Sequence, residues 1–160
     1  MTEATMVAIA LCGLVTGFLL AFAVVVMPGL RQLDDGAYLR AFQVIDGVIQ
    51  RRQPLFLVLW VGALLAVAIV MGLAVRFHVG TERLLAVAAG VLYLGGVQLL
   101  TMIVHLPLNA MVQRIDPAAT AGTLREARTA FETRWTRWNA VRVGFGMATV
   151  ILLLALLVRV

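Results

Sequence analysis

Four long stretches without a charged residue divide the chain: Ala4–Leu30, Gln53–Val75, Leu84–Gln113 and Val143–Val158. A helix needs about 20 apolar residues to cross the hydrocarbon core of a bilayer, and the first three stretches exceed that length. The fourth has only 16 residues, so a helix that crosses the bilayer here must also include residues of the Arg-containing segment before it. The pattern predicts an all-α chain that forms an antiparallel bundle of four transmembrane helices.

The predicted spans are residues 6–29, 54–76, 84–106 and 137–158, within one membrane domain of residues 1–160. The first is interpreted as a retained helix, because it lacks both a basic leader segment and a small-x-small cleavage site. Pro28 and Gly29 predict where this helix ends. Gly13 and Gly17 have the four-residue spacing of a close helix-packing motif.

The first and third connections between the spans are predicted to carry amphipathic helices. In the first connection one helix face is apolar: Tyr38, Ala41, Phe42, Ile45, Val48 and Ile49. Gln43, Asp46 and Gln50 fall on another face. In the third connection, Asp116-Pro117 predicts a helix start, and Thr123 with Glu126 offers a second start as a capping box.

Composition and charge agree with a membrane protein. The chain is 62% apolar and 13% charged, whereas soluble domains are about 45–50% apolar and about 25% charged. All thirteen basic residues are Arg, and they lie between apolar spans, which favours lipid headgroups over nucleic acid as the partner. Ten of them lie in the first and third connections or in their flanks, so both termini are predicted outside. The Arg-only usage suggests a GC-rich bacterial genome and hence the bacterial plasma membrane.

Polar residues recur inside the predicted third span. Gln98, Thr101, His105 and Asn109 have the spacing i, i+3, i+7, i+11 and share one helix face. Polar side chains are costly in hydrocarbon and usually face a partner or a cavity. Considered singly, Gln98 and Thr101 are more often hydrogen-bonding contacts between helices, and His105 is as often structural as functional.

A second polar stripe follows the fourth helix, with Trp135, Asn139 and Arg142 spaced i, i+4, i+7. In four antiparallel spans, the end of the third helix, the start of the fourth and the first connection meet at one membrane face. Both stripes are therefore predicted to converge with Asp46 and Gln50 near one leaflet. The competing interpretation is that Arg142 anchors at the interface and that the tryptophans form an aromatic belt.

Several motifs along the chain resemble those of one known family. They are Val26-Met27-Pro28-Gly29-Leu30, Asp34-Asp35, Phe42-Gln43-x-Ile45-Asp46, His105-Leu106-Pro107-Leu108-Asn109 and Phe131-Glu132-x-Arg134-Trp135-x-x-Trp138-Asn139-x-x-Arg142. Their order and spacing resemble the small four-helix membrane proteins of the anthrone oxygenase-like family. His105 and Asp46 stand where the family pattern commonly has Asn.

The resemblance implies oxidation of a lipid-soluble, anthrone-like aromatic by O2 without a metal or flavin, so no cofactor is expected. The reaction needs a base, donors for a developing oxyanion and a dry pocket. His105 is the candidate base, with Asp46 to orient or replace it. The candidate catalytic residues are then His105, Asp46 and Asn109. The candidate substrate-binding residues are Gln50, Gln98, Thr101, Trp135, Trp138, Asn139 and Arg142.

Other functions remain open at this stage. A non-enzymatic membrane protein that binds a hydrophobic ligand, lipid or partner helix is the main alternative, and the expected partners otherwise are membrane lipid, the aromatic substrate and O2. A metal or haem site is disfavoured, because the sequence has no His pair at i, i+4. Cys12 is also predicted to lie near the membrane face opposite to that of His105. The sequence fits either a monomer or a homo-oligomer.

Overall fold

The computed structural model describes residues 1–160, which form five helices and no strand. The helices are α1 (Thr2–Leu30), α2 (Asp35–Gln50), α3 (Pro54–Phe77), α4 (Gly80–Gln113) and α5 (Ala121–Leu157). All except α2 are long and apolar enough to cross a membrane. The predicted all-α architecture with four long apolar helices is confirmed. Where the bilayer begins and ends along each helix stays a prediction.

The four long helices form a ring in which each contacts two neighbours. α1 packs on α3 and α5, and α4 packs on α3 and α5. One end of the bundle holds both chain termini, and the other, which we call the α2 end, holds α2 and the connection of residues 114–120. α2 packs across this end against α4 and α5. It is therefore positioned to close the bundle there.

Prolines interrupt two of the long helices without ending them. Pro28 follows a π-helical turn at Phe22–Val26, and Pro107 follows another at Thr101–His105. In each turn a backbone N–H donates five residues back, as from Leu106 to the carbonyl of Thr101. The wider turn suits a residue that cannot donate and whose ring would clash with the carbonyl four residues earlier. α1 thus continues through Pro28 and Gly29 to Leu30, so the prediction that they end it was wrong by a short margin.

The start of α5 differs from both predicted starts. Thr120 is the N-cap, and its hydroxyl accepts from the backbone N–H of Thr123 at 3.4 Å. Asp116 instead accepts from the backbone N–H of Ala118 at 2.8 Å, which makes a local turn before the helix. From Ala121 the helix runs without a break into the fourth span. The amphipathic segment of the third connection is therefore the first part of α5.

The buried core consists of two clusters that differ in side-chain size. The cluster towards the termini is built largely from Ala and Val, including Ala63, Ala66 and Ala89. The cluster at the α2 end contains Phe22, Tyr38, Phe42, Phe131 and Trp135, among others. Small side chains bring helices close together, whereas large rings hold them apart. The two ends of the bundle therefore pack with side chains of different size.

Much of the outer surface is apolar, as expected where lipid replaces water. Val44 and Val48 of α2 are exposed, whereas Asp46 is buried. The prediction that Val48 lies on the packed face of α2 was therefore wrong, because the polar edge of this helix turns inward to bond α4. Gly13 and Gly17 also face open space rather than a neighbouring helix, contrary to the packing prediction. The close helix contacts occur instead at Gly96, beside Phe145, and at Gly146, beside Thr16.

Candidate functional site

A cavity of about 360 Å³ lies in the bundle towards the α2 end. Side chains from all five helices line it. Eight of the ten predicted site residues are among them: Asp46, Gln50, Gln98, Thr101, His105, Asn109, Trp135 and Arg142. The structure thus brings the separate polar stripes together at one cavity. The chemical role of each residue stays a prediction.

Asp46 is buried at the α2 end of the cavity and is held by amide groups. One carboxylate oxygen accepts from Asn109 Nδ2 at 2.7 Å, and the other accepts from Gln113 Nε2 at 2.8 Å and from Gln50 Nε2 at 3.3 Å. Hydrogen bonds to an ionised group are roughly twice as strong as neutral ones. Asp46 therefore ties α2 to the end of α4. It makes no hydrogen bond to His105, so it does not orient the imidazole in the way that the sequence analysis suggested.

Two glutamines at this end were missed as structural partners of the site. Gln113 extends the stripe of α4 by four residues beyond Asn109, so its spacing was a signal that could have found it. Gln43 Nε2 donates to the carbonyls of Val112 and Ile115, both at 2.9 Å. These carbonyls lie at the C-terminal end of α4, where intrahelical donors run out. Through Gln43, α2 thus caps the C-terminal end of α4.

His105 lies beside the ring of Trp135, with the ring centroids 5.2 Å apart and the rings perpendicular. Its side chain is buried, and neither ring nitrogen has a hydrogen-bond partner in the protein. Trp135 Nε1 donates to Asn109 Oδ1 at 2.9 Å, which fixes the indole against the cavity wall. The imidazole is therefore oriented by packing, with the backbone carbonyl of Trp138 near one ring nitrogen and the other nitrogen able to bond a molecule in the cavity.

Arg142 is 4% exposed and has no acidic partner. Its NH1 donates to Thr101 Oγ1 and its NH2 to Asn139 Oδ1, both at 2.8 Å, while its Nε has no partner. All three ion pairs of the protein lie elsewhere, among Arg31, Arg128 and the acidic residues near them. A buried charge costs several kcal/mol unless it is compensated. A cavity-lining cation held only by neutral groups is accordingly a position that attracts negative charge.

Asn139 and Trp138 do not line the cavity. Asn139 is fully buried behind Arg142, where it accepts from the guanidinium and donates to the backbone carbonyl of Leu19 in α1 at 3.0 Å. It therefore positions Arg142 and joins α1 to α5. Trp138 packs against the aromatic cluster at the α2 end. Of the two predicted tryptophans, only Trp135 presents its ring to the cavity.

The remaining wall of the cavity is apolar, and no pattern in the sequence singled it out. Phe56 and Trp60 of α3 stack with centroids 5.4 Å apart and planes 21° apart, and Phe18 of α1 lies 5.5 Å from Phe56. On the α4 side the lining residues Met102 and Leu106 are 55% and 49% exposed. Since α3 contacts α4 chiefly through residues 80–99, nearer the termini, the cavity reaches the apolar outer surface between these two helices.

An ion-pair cluster outside the cavity holds α2 against α5. Arg128 donates to Asp35 Oδ1 at 3.1 Å and to Glu132 Oε2 at 2.8 Å, and its guanidinium lies 4.4 Å from the centre of the Tyr38 ring. Arg31 donates to the other Glu132 oxygen at 2.7 Å. Burial raises the pKa of the Tyr38 hydroxyl well above its ordinary value, so this ring acts here as a neutral, packed side chain.

The residues around the cavity do not form a metal site. No group of three or more His, Cys, Asp or Glu side chains is close enough to hold a metal ion. Cys12 is buried in the Ala- and Val-rich cluster. His105 is the only one of the two histidines that lines the cavity. The chemistry that these residues can supply is therefore proton transfer, hydrogen bonding and electrostatic stabilisation.

Comparisons with known proteins agree with the resemblance seen in the motifs. The sequence model of the anthrone oxygenase family matches residues 47–152, about two thirds of the chain. The match contains every cavity-lining polar residue except Asp46, which lies one residue before it. No curated protein and no solved structure matches the chain. From the family match we conclude that this chain belongs to the anthrone oxygenase family.

Proposed function

We propose that this protein is a membrane oxygenase that oxidises an anthrone-like aromatic with O2 and needs no cofactor. The observation that supports this most directly is the cavity itself. It places an imidazole without hydrogen-bond partners beside an indole face and a buried guanidinium, in a chain of the anthrone oxygenase family. Its volume of about 360 Å³ falls within the range of about 300–1,000 Å³ typical of small-molecule sites.

The reaction begins with proton removal from the ring methylene. His105 accepts this proton, which leaves an enolate whose charge is spread over the ring and its oxygen. Arg142 stabilises the negative oxygen, because a cation in a dry site acts on charge far more strongly than it would in water. Trp135 and the Phe56–Trp60 stack hold the flat ring between them. Asn109, bonded to both Asp46 and Trp135, keeps the indole in place.

The enolate then reduces O2, and a C–O bond forms at the former methylene carbon to give a hydroperoxide. Loss of water from the hydroperoxide leaves the carbonyl of the quinone, so one oxygen atom enters the product and the other leaves as water. His105 returns its proton in this second step. Both O2 and the aromatic substrate dissolve well in lipid, and the opening between α3 and α4 offers them a direct path.

We further propose that the protein resides in a bacterial plasma membrane with both termini outside. The proposal rests on the ten Arg residues in the first and third connections and their flanks, against three on the other side. The cavity then lies near the cytoplasmic leaflet. Its partners in this setting are membrane lipid, the hydrophobic aromatic substrate and O2.

The test is oxidation of emodin anthrone under air by the detergent-purified protein. Quinone formation above the rate in protein-free micelles is expected, and His105→Ala should lower the enzymatic rate by about 10²–10⁴-fold if the imidazole is the base. His78→Ala is the matched control, because His78 lies in the connection at the opposite end of the bundle. Asn109→Ala should lower the rate as well, since Trp135 and Asp46 both lose a partner.

Rates equal to autoxidation in the unmutated protein would refute the oxygenase proposal. A cavity that binds aromatic molecules without turning them over would then favour the non-enzymatic ligand-binding function. Equal activity of the unmutated protein and His105→Ala would instead leave the oxygenase proposal standing and refute the role of His105 as the base.

A further inference from the structure

Arg142 and Gln98 form a donor-rich end of the cavity that the protein itself leaves incomplete. Arg142 Nε is buried and has no hydrogen-bond partner, and Gln98 Nε2, which lies near the Tyr93 hydroxyl, completes no hydrogen bond either. Both residues line the cavity and are no more than 5% exposed. Buried donors are nearly always bonded in proteins. The unpaired donor of Arg142, in a cavity that Gln98 also lines, therefore indicates that a ligand supplies the acceptor.

The positive charge of this end has no carboxylate partner in the protein. The only carboxylate that lines the cavity is that of Asp46, which accepts from three amide N–H groups. Arg142 is held by a hydroxyl and an amide oxygen, which carry no charge, and its guanidinium lies 5.9 Å from the centre of the Trp135 ring. The cavity thus has an anionic end with three amide donors and a cationic end without an anionic partner.

Between these two ends the wall is flat and aromatic, from Trp135 on one side to the Phe56–Trp60 stack on the other. A ligand that suits the whole cavity is therefore planar, with a negatively charged oxygen on one edge. We propose that the cavity binds its aromatic ligand as an anion, a phenolate or an enolate, with the ionised oxygen bonded to Arg142 and Gln98. The ligand class is a hydroxyl-bearing polycyclic aromatic that loses its proton in the cavity and is held there as the anion, before any reaction with O2.

This inference rests on the proposed function only in that the same cavity holds the substrate, and it can be tested without turnover. The probe is alizarin, a dihydroxyanthraquinone whose anion absorbs at longer wavelength than its neutral form. Its absorbance is titrated against pH in protein-containing and protein-free micelles. An opposite charge at close range lowers an acid's pKa by about 1–3, so the bound dye should ionise at a pH lower by about that amount.

Two variants and one control assign the effect to this end of the cavity. Arg142→Gln should return the dye's titration to that in micelles, and Gln98→Leu, which leaves the arginine in place, should move it part of the way. Arg134→Gln, an exposed residue on the same helix, should change nothing. The dimethyl ether of alizarin, which cannot ionise, should quench the cavity tryptophans equally in the unmutated protein and in Arg142→Gln.

A dye titration that is unchanged by the protein, or that Arg142→Gln and Gln98→Leu leave as it is, would overturn the inference. Failure of alizarin to bind would overturn it equally. Turnover of emodin anthrone on the same preparation separates the two proposals. Turnover without a lowered ionisation pH of the dye would refute only the anionic binding mode. A lowered ionisation pH without turnover would refute only the oxygenase proposal.

Discussion

Substitution of two adjacent glycines in α4 should have opposite effects on stability. A Cβ at Gly96 would lie 2.5 Å from Cδ2 and 2.6 Å from Cβ of Phe145 in α5, whereas a Cβ at Gly95 would meet nothing within 4 Å. The ring of Phe145 can rotate away, but its Cβ moves only with the backbone. Since carbon atoms pack at about 3.5–4.0 Å, Gly96→Ala must push α4 and α5 apart by roughly 1 Å.

The energetic difference between the two variants follows from this displacement. Both gain about 1 kcal/mol because alanine favours a helix over glycine. Overpacking costs about 1–3 kcal/mol and applies only to Gly96→Ala, so the two variants should differ by about 1–3 kcal/mol. At roughly 2–4 °C per kcal/mol for a chain of this length, Gly95→Ala should melt higher than Gly96→Ala by roughly 2–12 °C.

The assay is thermal unfolding of both variants in the same detergent, followed by circular dichroism. Thr101 lies five residues beyond Gly96, so the displacement should also lengthen its 2.8 Å bond to Arg142. Gly96→Ala should therefore weaken binding of anionic aromatic ligands, and Gly95→Ala should not. Equal melting temperatures for the two variants would refute the close α4–α5 contact on which this reasoning depends.

Two further substitutions address how the helices are held together. Asn139→Ala removes the donor to the Leu19 carbonyl and one acceptor of Arg142. It should lower the free energy of unfolding, measured by heat or denaturant, by about 1–3 kcal/mol. An unchanged free energy of unfolding would mean that neither hydrogen bond stabilises the protein. Arg128→Ala should cost about 1–3 kcal/mol and speed proteolysis near α2, because four hydrogen bonds are lost. The exposed Arg125→Ala should do neither, and the loss at Arg128 should shrink in 1 M salt.

The helices and their meeting point could be predicted from sequence because both depend on long patterns. Charge-free stretches longer than a bilayer require helices, and the antiparallel order then fixes which helix ends share a membrane face. The stripe from Gln98 to Asn109 lines the cavity as its spacing indicated. These predictions depend on many residues at once, so the exchange of any one residue would not have altered them.

The errors arose where one bond or one contact decides the outcome. Asp116-Pro117 has the composition of a helix start, but its carboxylate bonds the turn and Thr120 caps the helix instead. Asn139 shares a stripe with Arg142, yet it lies behind the guanidinium rather than beside the cavity. The aromatic wall of Phe56 and Trp60 has no polar signal, because in a membrane helix an apolar ring that faces a ligand looks like one that faces lipid.

The π turn at Thr101–His105 makes the spacing of residues along α4 a functional property in its own right. Such a turn holds one residue more than the α turn that it replaces. Deletion of one residue within this turn would restore an α turn and leave Gln98 and Asn109 on their present faces, but it would bring the carbonyl four residues before Pro107 back against the proline ring. Deletion of a residue outside the turn, between His105 and Asn109, would instead rotate Asn109 and Gln113 by about 100° away from Asp46. The length of α4 is therefore more tightly constrained after the turn than within it.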